Sequence, residues 1–274
     1  MGIARKQIMA NSYLMSANPL VKKLQRIEET DEQNSCTYAG ISRKLIIFTA
    51  MVVVGILLNL VLKLSGTPIT VKEGITVTSG QAAFLGISAL IMIICPFLSA
   101  FFIGTIPVTG SLFCVATGYV LSWVAGTFGG EYAATIRLAL VLTAAIVLTM
   151  SYLYKSGIVR VGDKLKTVLF TFIFSSIIAG ILMIIGLLIP ATRSFVAQLA
   201  TNPLLNIGIS VIYVIIGCLF LVVDFETIDR VVAGELPKKY EWLAAYSLAF
   251  SVIWLYFKIL DLLLRLKGSS SKNN

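Results

Sequence analysis

Apolar residues gather along this chain in seven stretches, each close to the roughly 20 residues that a helix needs to cross the hydrocarbon core of a bilayer. They run over Leu45–Leu62, Ala82–Phe102, Val108–Phe128, Ala133–Tyr154, Val168–Ile189, Leu204–Val223 and Trp242–Leu264. This pattern predicts an all-α membrane fold of seven transmembrane helices. Only Gly104–Pro107 separates the second span from the third, so these two form a tight antiparallel hairpin. The third span carries Gly110, Gly118 and Gly126, which suit either a close helix–helix contact or a broken helix.

The polar segments divide the chain into a cytoplasmic N-terminal segment (1–44), the membrane domain (45–264) and a polar tail (265–274). Within residues 13–40 a helix is expected over Leu20–Glu32. Leu20, Leu24 and Ile27 follow helical spacing there, with Lys22, Lys23 and Arg26 elsewhere on the wheel. Such a helix suits lying along an anionic leaflet, and a solvated linker is the alternative. Thr67–Ser79 shows a weak alternation (Ile69, Val71, Ile75, Val77) that fits a short extracellular hairpin, with a plain loop as the default. The tail Gly268–Asn274 is low in complexity and is expected to be disordered.

Composition removes the soluble classes. The 274 residues are 58 % hydrophobic and 13 % charged, with a mean hydropathy of +0.93. A net charge of +9 would suggest nucleic acid for a soluble protein. Here the basic residues flank apolar spans and set orientation instead. The N-terminal segment holds Arg5, Lys6, Lys22, Lys23, Arg26, Arg43 and Lys44; the fourth-to-fifth loop holds Lys155, Arg160, Lys164 and Lys166; the sixth-to-seventh segment holds Arg230, Lys238 and Lys239. All three fall on one side, expected to be cytoplasmic. The opposite side carries Lys63, Lys72 and Arg193, with Arg137 just inside the fourth span. Seven spans place Arg265, Lys267 and Lys272 outside, against the rule, but the larger N-terminal cluster dominates. No short apolar stretch leads to a cleavage site in the first forty residues, so the first span is expected to serve as the targeting signal.

Histidine is absent, which removes the commonest metal ligand, the usual general base and the usual switch near neutral pH. Gly86-Ile87-Ser88-Ala89 therefore has no base to activate a nucleophile. Cys36, Cys95, Cys114 and Cys218 are scattered without metal or redox spacing, and Cys95-Pro96 reads as a helix kink. No phosphate-binding loop is present. The expectation is a non-enzymatic protein with no cofactor, no metal site and no nucleic-acid partner.

Ionisable residues at membrane depth are costly and mark candidate functional positions. Asp224 ends the sixth apolar run, and no helix break follows before Gly234 and Pro237. The helix is thus expected to continue through Asp224, with Glu226 and Arg230 forming an i,i+4 pair on its solvated extension. Asp224 itself is either a buried functional carboxylate or an interfacial one in water. Lys258 and Asp261 share one face of the seventh span, where they can neutralise each other or where Lys258 snorkels to the interface. Arg137 is expected to pair with Glu131 or the lipid surface.

Asp224-Phe225-Glu226-Thr227-Ile228, Gly234-Glu235-Leu236-Pro237, Tyr240-Glu241-Trp242, Ala244-Ala245-Tyr246 and Trp254 through Leu260 together resemble the bacterial branch of the Bax inhibitor-1 superfamily. Tyr154 through Val161 and Asn18-Pro19 extend the resemblance over most of the chain. It implies a central last helix surrounded by the other six, a bacterial plasma membrane and, as in some members, a pH-sensitive calcium leak. In those members an aspartate late in the sixth helix and another in the middle of the seventh share a proton and latch the pore. Asp224 matches the first, whereas the second falls at about Ser251, so this chain departs from the two-aspartate pattern.

Two adjacent carboxylates titrate as a coupled pair, while a serine adds no second charge. A leak with weaker or acid-shifted pH dependence is therefore expected, gated at Asp224 and Ser251 with Glu226 and Arg230 nearby. Asp224, Glu226 and Ser251 offer too few charges for tight calcium binding. The alternative is an interaction protein that docks onto a membrane protease or a death-regulating partner without conducting. Secondary transport ranks third, since it calls for paired broken helices.

Overall fold

The computed structural model describes residues 35–270 apart from 66–67, 73–74, 160–161 and 235. The helix expected over Leu20–Glu32 lies outside them. Helix α1 (Tyr38–Ser65) leads into an antiparallel hairpin of β1 (Pro68–Lys72) and β2 (Ile75–Thr78). Next come α2 (Ser79–Phe101), a 3₁₀ turn (Ile103–Thr105) and α3 (Ile106–Lys155). The chain continues as α4 (Asp163–Leu188), α5 (Pro190–Thr201), α6 (Pro203–Ala233) and α7 (Lys239–Ser270).

Seven helical segments are long and apolar enough to cross a membrane, and they coincide with the seven apolar runs. Several outrun the hydrocarbon core. Thus α1 begins at Tyr38 and carries Arg43 and Lys44 in its early turns, and α7 continues to Ser270 into the tail expected to be disordered. The short α5 was not expected from the sequence. At the hairpin after α1 the backbone adopts the paired alternative rather than a plain loop.

Local chemistry sets the turns. Thr78 and Gln81 form a reciprocal capping box at the start of α2, satisfying two otherwise orphaned amides. Pro107 falls in the first turn of α3, where its missing N–H costs nothing. The run of the 3₁₀ turn and α3 holds two spans, 103–127 and 132–155. Ile103 packs beside Cys36 and Tyr240, and Tyr154 bonds to Asp229, which also holds Tyr38. Tyr132, by contrast, lies under Lys267 at the far end of α7. The run therefore doubles back between its two spans, and its arms are antiparallel.

Two apolar clusters fill the bundle. Phe48, Ile106, Phe113, Cys114, Ala244, Ala245 and Tyr246 make one, and Ala139, Leu221, Leu248, Leu255, Tyr256 and Ile259 the other. Helix α7 contributes to both and packs against α1, α3 and α6, which makes the last helix central. Its alanines at 244, 245 and 249 keep that face thin enough for close approach. Helices α1 and α3 cross still more closely, since a methyl added at Gly55 would strike Val115 O and one at Gly118 would strike Val52 O. The first arm of α3 runs unbroken through Gly110, Gly118 and Gly126, so the glycines serve packing rather than a discontinuity. Helix α4 stands at the edge and meets α6 through Phe172 and Tyr213, whose ring centroids are 5.5 Å apart. Large apolar side chains such as Leu57, Ile93, Leu140 and Ile184 face outward, as a bilayer requires.

One end of the bundle is closed by a buried amide network. Asn59 Nδ2 donates to Ser122 Oγ at 3.0 Å, Gln81 Nε2 donates to Asn59 Oδ1 at 3.0 Å, and Tyr119 Oη donates to Gln81 O at 2.9 Å. It ties α1, α2 and α3 together with uncharged groups.

Candidate functional site

The opposite end gathers most of the described acidic groups. The segment before α1 pairs with the turn between α6 and α7: Cys36 N donates to Leu236 O at 2.7 Å, and Cys36 Sγ donates to Pro237 O at 3.1 Å. Burial, assisted by the nearby Glu241 carboxylate, pushes the Cys36 thiol up to about 11. Glu241 is 2 % exposed. It accepts from Thr37 N at 2.9 Å and Thr37 Oγ1 at 3.3 Å, and pairs with Lys44, whose ammonium also lies 5.3 Å from the Trp242 ring centroid. Gly40 leaves the space this carboxylate occupies. Asp229 joins three elements, accepting from Tyr38 Oη at 2.9 Å and Tyr154 Oη at 2.7 Å.

Asp224 lies five residues before Asp229 on α6, roughly 7.5 Å deeper along the axis. It is 6 % exposed, and so occupies the buried rather than the interfacial alternative. Ser247 on α7 donates to its Oδ1. Ser251, one turn further along α7, faces the same carboxylate from a longer range, outside strict hydrogen-bond geometry to the buried Oδ2. The direct partner is thus Ser247, which the comparison with Ser251 alone overlooks. Both serines occupy one face of α7 at i,i+4 spacing, and that spacing was the available signal. Leu221, Val222 and Leu255 are fully buried around this level.

Glu226 points elsewhere, as two residues along a helix must. It forms the expected pair with Arg230, and Lys166 of α4 joins it at 3.0 Å. Its side chain is 14 % exposed, so it is packed between α4 and α6 rather than solvated. Of the two alternatives for Lys258, the structure shows no ion pair with Asp261. Asp261 Oδ2 instead accepts from Arg265 Nε at 2.9 Å and Ser210 Oγ at 2.8 Å. Lys258 turns to the aromatic faces of α6 and its own helix, 4.4 Å from the Tyr213 centroid and 5.4 Å from that of Trp254. Cation–π attraction to these rings accompanies the turn of the ammonium away from Asp261. Of the Arg137 expectation, the partner Glu131 lies outside the described side chains.

Among the described residues no group of three or more acidic or cysteine side chains is placed to hold a metal ion. The four cysteines are free thiols.

Seven apolar spans, the last of them packed centrally against α1, α3 and α6, with a buried carboxylate between the sixth and seventh spans, define an integral multi-pass membrane protein. The chain belongs to the Bax inhibitor 1 like family, whose model matches residues 18–268. Neither a curated protein nor a solved structure matches it.

Proposed function

We propose that this protein is a passive cation leak, with calcium as its first candidate ion, gated where Asp224 of α6 meets α7. The observation that carries this reading is a carboxylate buried among apolar side chains within the sixth apolar span, with one oxygen held by Ser247 and the other unpartnered. A group so costly to place in a bilayer supports a role in an ion path. Separation of α6 from α7 would free this carboxylate to attract a cation, and a single carboxylate favours passage over retention because calcium takes six to eight oxygen ligands. No second carboxylate accompanies Asp224 on the facing helix, where Ser247 and Ser251 stand. The gate therefore has a weak or acid-shifted response to pH.

The end bearing the N-terminal segment, the α3–α4 loop and the α6–α7 turn faces the cytoplasm of a bacterial plasma membrane in this proposal. Clustering of the basic segments at that end supports it. Calcium flux into liposomes tests the function. Wild type conducts, and Asp224→Asn changes the rate or its dependence between about pH 5 and 8. Equal flux in the two proteins with no response to pH overturns the reading. Absence of any flux, with a membrane protease or another membrane protein co-purifying, favours the interaction-protein alternative.

A further inference from the structure

Helix α4 is the least enclosed of the seven spans: 6 % of its most apolar stretch is buried, against 44 % for the first arm of α3. Along its flank runs a shallow groove of about 350 Å³ lined by Thr167, Val168, Thr171, Phe172 and Ser175. The walls are almost wholly apolar, with Thr167, Thr171 and Ser175 recurring one turn apart along the helix. Lys164 precedes Thr167 by three residues and Val168 by four, which puts it on the same face at the membrane boundary of the span. It is exposed and makes no ion pair among the described residues.

Positive charge is in excess at this end. Lys166 and Arg230 share the single carboxylate of Glu226. Residues 155–166 contain Lys155, Arg160, Lys164 and Lys166 against Asp163 alone. An anion arriving at Lys164 therefore meets cations that Glu226 does not neutralise.

We propose that the flank of α4 binds an anionic phospholipid, with one acyl chain along the groove and the phosphate at Lys164. An apolar groove open to the bilayer is filled by hydrocarbon whatever the headgroup. Lys164 adds a preference for a net negative headgroup, as basic residues beside transmembrane helices do.

Native mass spectrometry of the full chain with added phosphatidylglycerol or phosphatidylcholine tests the site. Retention of phosphatidylglycerol about fivefold over phosphatidylcholine is expected, the scale set by one lysine near a membrane surface. Lys164→Gln brings the two lipids to parity, and Ser175→Phe, which fills the groove, lowers retention of both. Arg43→Gln, an exposed base at the same end on α1, leaves the preference intact. The proposal is overturned if Lys164→Gln keeps the preference, if Arg43→Gln abolishes it equally, or if Ser175→Phe retains lipid like wild type.

Discussion

Ser247 on α7 donates its hydroxyl to Oδ1 of Asp224 on α6, while the other carboxylate oxygen is buried without a partner. A buried acceptor left without its donor costs about 1–3 kcal/mol. Ser247→Ala should lower stability by about that amount in thermal unfolding in detergent. Ser251→Ala, which removes only a longer contact to the carboxylate, should cost under about 1 kcal/mol. Equal losses in the two variants would show that Oδ1 finds a different donor.

The ion pair of Lys44 and Glu241 allows a sharper test, because the carboxylate is nearly inaccessible while the lysine is partly exposed. Lys44→Met leaves a buried charge supported by Thr37 alone and should destabilise by about 3 kcal/mol. Replacing both residues by methionine should recover much of that loss. A double-mutant cycle in detergent measures the coupling; additive losses would mean that the two side chains act independently.

Glycines in this bundle are not equivalent. Gly118→Ala places a methyl against the backbone of Val52 and should cost about 1–3 kcal/mol or more, since backbone cannot step aside as a flexible side chain does. Gly86→Ala meets nothing within 4 Å and should be neutral or stabilising by up to about 1 kcal/mol. Thermal unfolding of the two variants side by side reads the difference directly.

Burial raises the Cys36 thiol to about 11 from an ordinary value of 9.0, with Glu241 adding to the effect. Alkylation by iodoacetamide, which needs the thiolate, should therefore be slow at pH 9 in the folded protein and fast after unfolding. The folded state holds this proton more tightly than the unfolded chain. Its contribution to stability is complete below pH 9 and is lost as pH rises toward about 11. Equal alkylation rates for folded and unfolded protein at pH 9 would contradict the buried thiol.

Depth and length were readable from the chain because membrane spanning is a one-dimensional constraint: each of the seven apolar runs became a span. Helix α5 escaped because its twelve residues are too few to span, and Arg193, Gln198 and the flanking prolines read as a connection. Counting along the sequence brought Asp224 near the middle of the seventh span, but the choice of Ser247 over Ser251 depends on the rotation of one helix against the other. Spacing likewise set Lys258 near Asp261, yet Tyr213 on another helix decided which way the ammonium turned. Glu241 was visible only as part of a resemblance, since its partner Lys44 lies 197 residues away.

Thr37, at the entrance to the first transmembrane helix, donates to Glu241 at the entrance to the last, across 204 residues of chain. Contacts so distant in sequence form late. During synthesis, α1 and α3 present the small-residue crossing and half of the apolar core to one another well before α7 exists, and Lys44 has no carboxylate until residue 241 has been made. The central helix is thus made after the other six spans. Until α7 is in place, Lys44 at the entrance to α1 lacks the buried carboxylate that neutralises it.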